Sequence, residues 1–267
     1  MSLPRLFIDQ PHVHETLSVD VTVTLSRDLA DYHHLVNVLR LEVGEKVEIV
    51  VRDIWTVWLC EVEKVDAAGI SFGVLESIEA SPLPFETTLV LGFSKGDTND
   101  KVVRQATELG IRRIVPTLFE RSISRPDAKK AAGKIERLRK IAASAAQQSH
   151  RTCLPEICEL QTFAMTLELV ESWHPDLIAV PWEEESRTLL SDFIESTLLP
   201  EYPEVAQLTL VIGPEGGITA EEILRLHDIG AQSVSLGATI LRVDTAACAA
   251  IAIAHDSLTK KCAPCVQ

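Results

Sequence analysis

Residues 210–223 read LVIGPEGGITAEEI. An apolar run gives way to a glycine turn and then to a helix start. Thr219 followed three residues later by Glu222 has the spacing of a capping box. This is the layout of a phosphate loop, but the residues are wrong for one. A P-loop ends its glycine turn in Lys and Ser or Thr, and a dinucleotide fingerprint is GxGxxG; this turn reads GPEGG. Glu215 at the head of a helix repels a pyrophosphate. The turn therefore suits a neutral or cationic guest, with the adjacent Gly216 and Gly217 letting the backbone come close to a flat ring. The alternative is a tight strand-to-helix turn with Glu215 in water.

A second stretch, LGATILRVDTAACAAI (236–251), repeats the arrangement. A glycine follows a short strand, then Arg242 and Asp244 precede an alanine-rich helix. Either Asp244 or Thr245 can cap that helix. Two such loops at one sheet edge make a pocket, because open α/β sheets bind ligands at the carboxyl ends of their strands.

Working outward, residues 88–267 alternate continuous apolar strands (TTLVLGF, IRRIVPTLF, PDLIAVPW, QLTLVIG, SVSLG) with helices over 99–109, 129–148, 186–196, 219–226 and 244–258. That rhythm predicts an α/β domain with a mostly parallel sheet covered on both faces. Residues 1–76 instead hold short β-rich runs (VTVTL, KVEIV, TVWLCEV, GISFGVL) and one amphipathic helix, 28–39, the pattern of a small β-barrel. Residues 77–87, with Pro82 and Pro84, read as a linker.

Bulk properties bound the function. The chain has 267 residues, net charge -14 and six cysteines at irregular spacing. No disulfide framework or paired zinc knuckle is expected, and hence no metal. With neither a signal peptide nor a run of membrane-spanning length, a cytoplasmic protein is expected. The negative charge argues against a general nucleic-acid binder, yet charge is segregated. Residues 111–151 carry eleven Lys or Arg against three acids, and 152–233 two against sixteen. This is either two solvated faces or a basic patch for a polyanion on a repelling surface.

The two loop stretches together resemble the C-terminal motifs of the RsmE-type 16S ribosomal RNA (uracil-N3)-methyltransferases of the SPOUT superfamily. PRLFI, HHLVNVLRLEVGEKVEI, KGDTNDKVVRQATELGI and RLRKIAASAAQQSHRTCLPEI are similar to further family stretches, in order along nearly the whole chain. The resemblance implies a C-terminal SPOUT α/β trefoil-knot domain, a PUA-like RNA-binding β-barrel in front of it, and S-adenosylmethionine as cofactor. Its cofactor residues fall on Val180, Pro181, Ile212, Gly213, Pro214, Glu215, Gly216, Gly217, Leu236, Gly237, Ile240 and Leu241. It implies 16S rRNA as substrate, within the assembled small subunit, and a homodimer through the alanine-rich helix. The chain departs from the family at Thr98, Arg104, Gln105, Gln147 and Asp244. The rival class is an RNA-binding module with a degenerate cofactor site.

Methyl transfer to uracil N3 requires loss of a proton and leaves negative charge on the ring oxygens, which an arginine can stabilise. Arg242 is the candidate, with Glu215 or Asp244 as possible bases; alternatively Arg242 pins its loop through Asp244. Arg5 and Arg40, from the stretches similar to the family, and Arg112, Arg113, Arg121, Arg125 and Arg151 are expected on the RNA side, where phosphate contacts position a nucleic acid without specifying it. His33 and His34 are expected to be structural or on the RNA face.

Overall fold

In a computed structural model, residues 3–8, 19–27, 32, 35, 40–51, 56–80, 83–198 and 206–262 are described. The chain divides into two compact units, residues 1–82 with 146–154, and 83–145 with 155–267.

The first unit is a five-stranded sheet in the order β1-β3-β4-β5-β2. Its strands are β1 (Arg5–Ile8), β2 (Thr22–Ser26), β3 (Lys46–Val51), β4 (Thr56–Val65) and β5 (Gly69–Glu79). All pairs are antiparallel except β1 with β3. Alternate side chains enter one core, as strand geometry requires: Val23 and Leu25, Val47 and Ile49, Cys60 and Val62, Ile70 and Phe72. The sheet curls, with register shifts at Leu59/Cys60 and Val62/Lys64. It is a curled half-barrel, the form the expected small β-barrel takes here, with β1 and β2 unpaired with each other among the described residues. Most of the expected helix 28–39, including His33 and His34, lies outside the described residues; Tyr32 and Leu35 are buried in this core. Strand β5 runs to Glu79, into the segment that reads as a linker.

Residues 146–154 belong to this unit: Ala146 and Leu154 pack with Phe7, Val50 and Val57. Arg5 binds here. Its Nη2 lies 2.8 Å from Glu48 Oε2, and its Nη1 donates to the carbonyls of His150 and Arg151. His150, at φ +52°, turns the chain back.

The second unit is a seven-stranded sheet, β12-β10-β11-β6-β7-β8 with β9 also on β7, parallel at every pairing. Its strands are β6 (Phe85–Gly92), β7 (Arg113–Leu118), β8 (Glu156–Ile157), β9 (Gln161–Thr162), β10 (Leu177–Pro181), β11 (Ala206–Ile212) and β12 (Gln232–Val234). Its helices are α1 (Thr98–Glu108), α2 (Ala128–Gln148), α3 (Phe163–Trp173), α4 (Leu190–Thr197), α5 (Ala220–Asp228) and α6 (Val243–Cys262). The sheet buries both faces, which is why its strands read as unbroken apolar runs. Leu89, Leu91, Leu210 and Ile212 face α1, α2, α4 and α6. Val90, Val115, Val180 and Val211 face α3 and α5.

Candidate cofactor and substrate site

The carboxyl ends of β6, β10, β11 and β12 lie side by side, because these strands are neighbours in a parallel sheet. The glycine turn leaves β11 there. Gly217 N–H donates to Pro214 O at 2.9 Å, closing the turn, and Gly217 takes φ +75°, a conformation that favours glycine. The capping box forms as the sequence predicts. Glu222 N–H donates to Thr219 Oγ1 at 3.2 Å, and Thr219 N–H to Glu222 Oε2 at 3.0 Å. Glu222 is only 5% exposed, and its other oxygen accepts the N–H of Glu120 at 2.7 Å. A buried carboxylate is tolerable here because backbone donors at a helix start surround it.

The glycines are accounted for by neighbours within the protein. A Cβ on Gly216 would stand 2.9 Å from Arg121 Cβ and 3.0 Å from Arg121 O, and one on Gly217 would stand 2.7 Å from Glu183 Oε1. Arg121 thus fills the space on the side where a Gly216 side chain would project. Gly92, at the end of β6, was not singled out by the sequence. A Cβ there would overlap the backbone nitrogen of Pro214 and stand 2.5 Å from Gly213 C.

Residues 182–190 form an excursion whose two feet rest on the end of β12. Trp182 N–H donates to Val234 O, while Ser235 N–H donates to Thr188 O and Leu190 N–H to Ser235 O. Within it the Glu185 carboxylate accepts the N–H groups of Arg187 and Thr188, which hold its pKa below the usual carboxylate range. Glu183 is left exposed at the rim.

These segments border an open cavity of about 610 Å³, lined by Pro181, Glu183, Ile212 to Ile218, Ile240 to Asp244, Ala246, Thr98 and Lys101. A smaller cavity of about 140 Å³ adjoins it through Pro181, Glu183, Ile240, Leu241 and Ala246, and adds Leu236 and Gly237. Thr98, Lys101 and Glu183 are additions to the sequence reading; the signal for Glu183 is the acidic run 183–185 directly after a strand end. Val180, also expected at the site, is fully buried against the α3 and α5 face and lines neither cavity.

Three carboxylates, Glu183, Glu215 and Asp244, share the larger cavity with Lys101 and Arg242. Lys101 is paired with Asp97 at 3.2 Å. Thr98 Oγ1 stands 3.5 Å from Glu215 Oε1. Asp244 lies in the first turn of α6, and its Oδ1 accepts Thr245 N–H at 3.1 Å, so it is not the residue that caps the helix from outside. The Arg242 guanidinium has no ion pair or hydrogen bond among the described residues, and it does not pin the loop through Asp244.

Several expected RNA-side arginines are internally engaged. Arg5, 8% exposed, is held by Glu48 and two carbonyls and presents no free cation. Arg112 pairs with Glu86 at 3.5 Å, and Arg113 with Glu156 at 2.7 Å while stacking on Trp173. Arg125 donates to the carbonyls of Phe119 and Glu120, and Arg121 to that of Gly216. Arg151 lies 3.3 Å from Cys153 Sγ. Arg40 is exposed, at φ +54°.

Comparison with known proteins follows the same division. Residues 81–255 match the RNA methyltransferase domain family, and 27–74 the RNA methyltransferase PUA domain family. The chain is 33% identical to the ribosomal RNA small subunit methyltransferase E of Bacillus subtilis (strain 168), over 85% of this chain and 88% of that protein. With its counterpart from Synechocystis sp. the identity is 34%, over 88% of this chain and 73% of the relative. The crystal structure of a ribosomal RNA small subunit methyltransferase E from Neisseria gonorrhoeae, bound to S-adenosyl methionine, superposes with a TM-score of 0.75 at 25% identity, covering 97% of this chain and 98% of that one. A parallel α/β unit, a curled β unit and two loops meeting over one cavity accompany this similarity along most of the sequence, and the chain belongs to the ribosomal RNA small subunit methyltransferase E family.

Proposed function

We propose that the protein transfers a methyl group from S-adenosylmethionine to N3 of a uridine in 16S rRNA. The observation that carries this is the cavity at the strand ends, framed by the glycine turn and the 236–242 loop, with an arginine at its wall that is unpartnered among the described residues. The lining fits the cofactor. Backbone from two loops is available to read a flat base, and the carboxylates outnumber the cations, which suits a sulfonium and an amino group better than a phosphate. Pro181, Leu236, Gly237, Ile240 and Leu241 would hold the nucleoside end, and Ile212 to Gly217 the remainder. Bound there, the cofactor supplies an electrophilic methyl on sulfur.

The chain's own contribution is positioning and charge. Arg242 stabilises the negative charge that spreads over the uracil oxygens when the N3 proton leaves. Glu215 and Asp244 stand in the same cavity as acceptors for that proton. The exposed Arg40 and the basic residues of α2, such as Lys129, supply the phosphate attraction.

The substrate is 16S rRNA in the assembled small subunit, which places the protein in the cytoplasm. Among the described residues no helix is long and apolar enough to cross a membrane. A two-fold dimer through α6 completes the reading. One side of α6 packs on α1, α4 and the sheet, while Thr245, Ala249, Ala252 and Asp256 form a side with small residues that is not buried. Sedimentation at micromolar concentration tests it: a monomer that still methylates removes the dimer.

The activity is tested by incubating the protein with S-adenosylmethionine and small subunits lacking the modification, then mapping the 16S rRNA by mass spectrometry. One added methyl on one uridine, blocking N3, is expected. Titration with S-adenosylhomocysteine separates this reading from its rival, since an RNA-binding module with a degenerate site takes up none.

A further inference from the structure

We propose that Arg121 is the positioning residue of the glycine turn, setting cofactor affinity, and that its guanidinium serves this turn and not an RNA phosphate. The cofactor part of this rests on the function proposed above. Arg121 lies in the connection between β7 and α2. Its Nη1 donates to Gly216 O at 3.2 Å. Its Cβ and carbonyl oxygen occupy the place where a side chain on Gly216 would go, at 2.9 and 3.0 Å. The same Nη1 stands 3.7 Å from the Cβ position of Gly217, and Glu183 Oε1 stands 2.7 Å from that position.

The connection that carries Arg121 is itself fixed. The preceding residue, Glu120, gives its N–H to the buried Glu222 at 2.7 Å, and Arg125 Nη2 ties the carbonyls of Phe119 and Glu120 together at 3.0 Å each. The segment is therefore anchored to α5 on one side of the turn and to the turn itself through Arg121. Paired glycines have the largest backbone freedom to lose on ordering. A tether on the carbonyl between them removes that freedom before a ligand arrives, and preorganisation of this kind appears directly in affinity.

Arg121→Met keeps the packing stem and removes the donor and the charge. Its dissociation constant for S-adenosylhomocysteine, by isothermal titration, is expected to rise about five- to tenfold, the worth of one such hydrogen bond. KM for S-adenosylmethionine rises by the same factor with kcat on small subunits unchanged within about twofold, and the affinity for 16S rRNA keeps its salt slope. An unchanged dissociation constant together with a shallower salt slope would overturn the proposal and make Arg121 a phosphate contact. Amide hydrogen exchange in the cofactor-free protein is a second arm. The Gly217 N–H, bonded to Pro214 O, exchanges faster in Arg121→Met if the tether holds the turn; unchanged protection overturns it. This arm needs no ligand. Wild-type protein that takes up no S-adenosylhomocysteine therefore sinks the cofactor reading, while the exchange rates still decide for or against the tether.

Discussion

The two loops that frame the cavity are built differently. The glycine turn is held from every side: by Gly92 beneath Pro214, by Arg121 on Gly216 O, by its own bond from Gly217 to Pro214, and by the capping box behind it. The 236–242 loop has far fewer ties. Gly237 to Ile240 are all exposed, Ile240 at 86%, and the described side-chain bonds are a pair between Ser235 Oγ and Gly237. One wall of the site is finished before a ligand comes, while the other has apolar surface still to bury. A site of this kind takes its geometry from the first wall and much of its remaining affinity from covering the ligand with the second.

Substitutions on the two walls should therefore behave differently. The largest effect belongs to Gly92→Val, which drives a branched side chain into the backbone at Gly213 and Pro214. Loss of S-adenosylhomocysteine binding is expected, with destabilisation of about 3 kcal/mol or more by urea denaturation. A stable variant with native affinity would show that the first wall is not rigid. Next comes Arg242→Ala on the second wall. Its single-turnover rate on small subunits should fall about a hundredfold or more. The urea midpoint should not move, because the guanidinium makes no ion pair or hydrogen bond among the described residues. Glu222→Ala strips acceptors from the N–H groups of Glu120 and Thr219, and should cost about 2 kcal/mol of stability, read from the same denaturation curve. The smallest expected effect sharpens the contrast: Ile240→Ser should leave stability within about 0.5 kcal/mol. It should weaken S-adenosylhomocysteine binding several-fold, as lost apolar burial predicts. Unchanged affinity would mean the second wall does not close on the ligand.

Much of the second unit was legible because its signals are local. Alternation of apolar runs with helices, the Thr219 and Glu222 spacing, and glycines at strand ends each sit within a short window, and each appears in the structure. Helix α3 was not singled out. It is started by Thr162, whose Oγ1 accepts the N–H of Met165, and stopped by His174 at φ +51°. Strand β1 was also missed, since four residues carry little pattern and its partner β3 lies about forty residues on. The charge segregation was real in sequence but partly cancelled in space. Arg112, Arg113, Arg137 and Arg139 pair with Glu86, Glu156, Asp100 and Glu159, all of which lie outside the basic stretch on the chain. The reason for Gly92 could not be read at all, because the backbone it accommodates arrives more than a hundred residues later.

The excursion 182–190 has a consequence for how the protein is made. Both its feet rest on Val234 and Ser235, so the rim that carries Glu183 has no support until β12 has been synthesised. The cavity also needs Ile240 to Ala246, while the first unit and most of the sheet come earlier in the chain. A chain still being translated can form its half-barrel long before it can form this pocket, since domains fold as units from the N-terminus. The pocket can thus form only after residues 234–246 have been synthesised, and a product ending before β12 would lack it altogether.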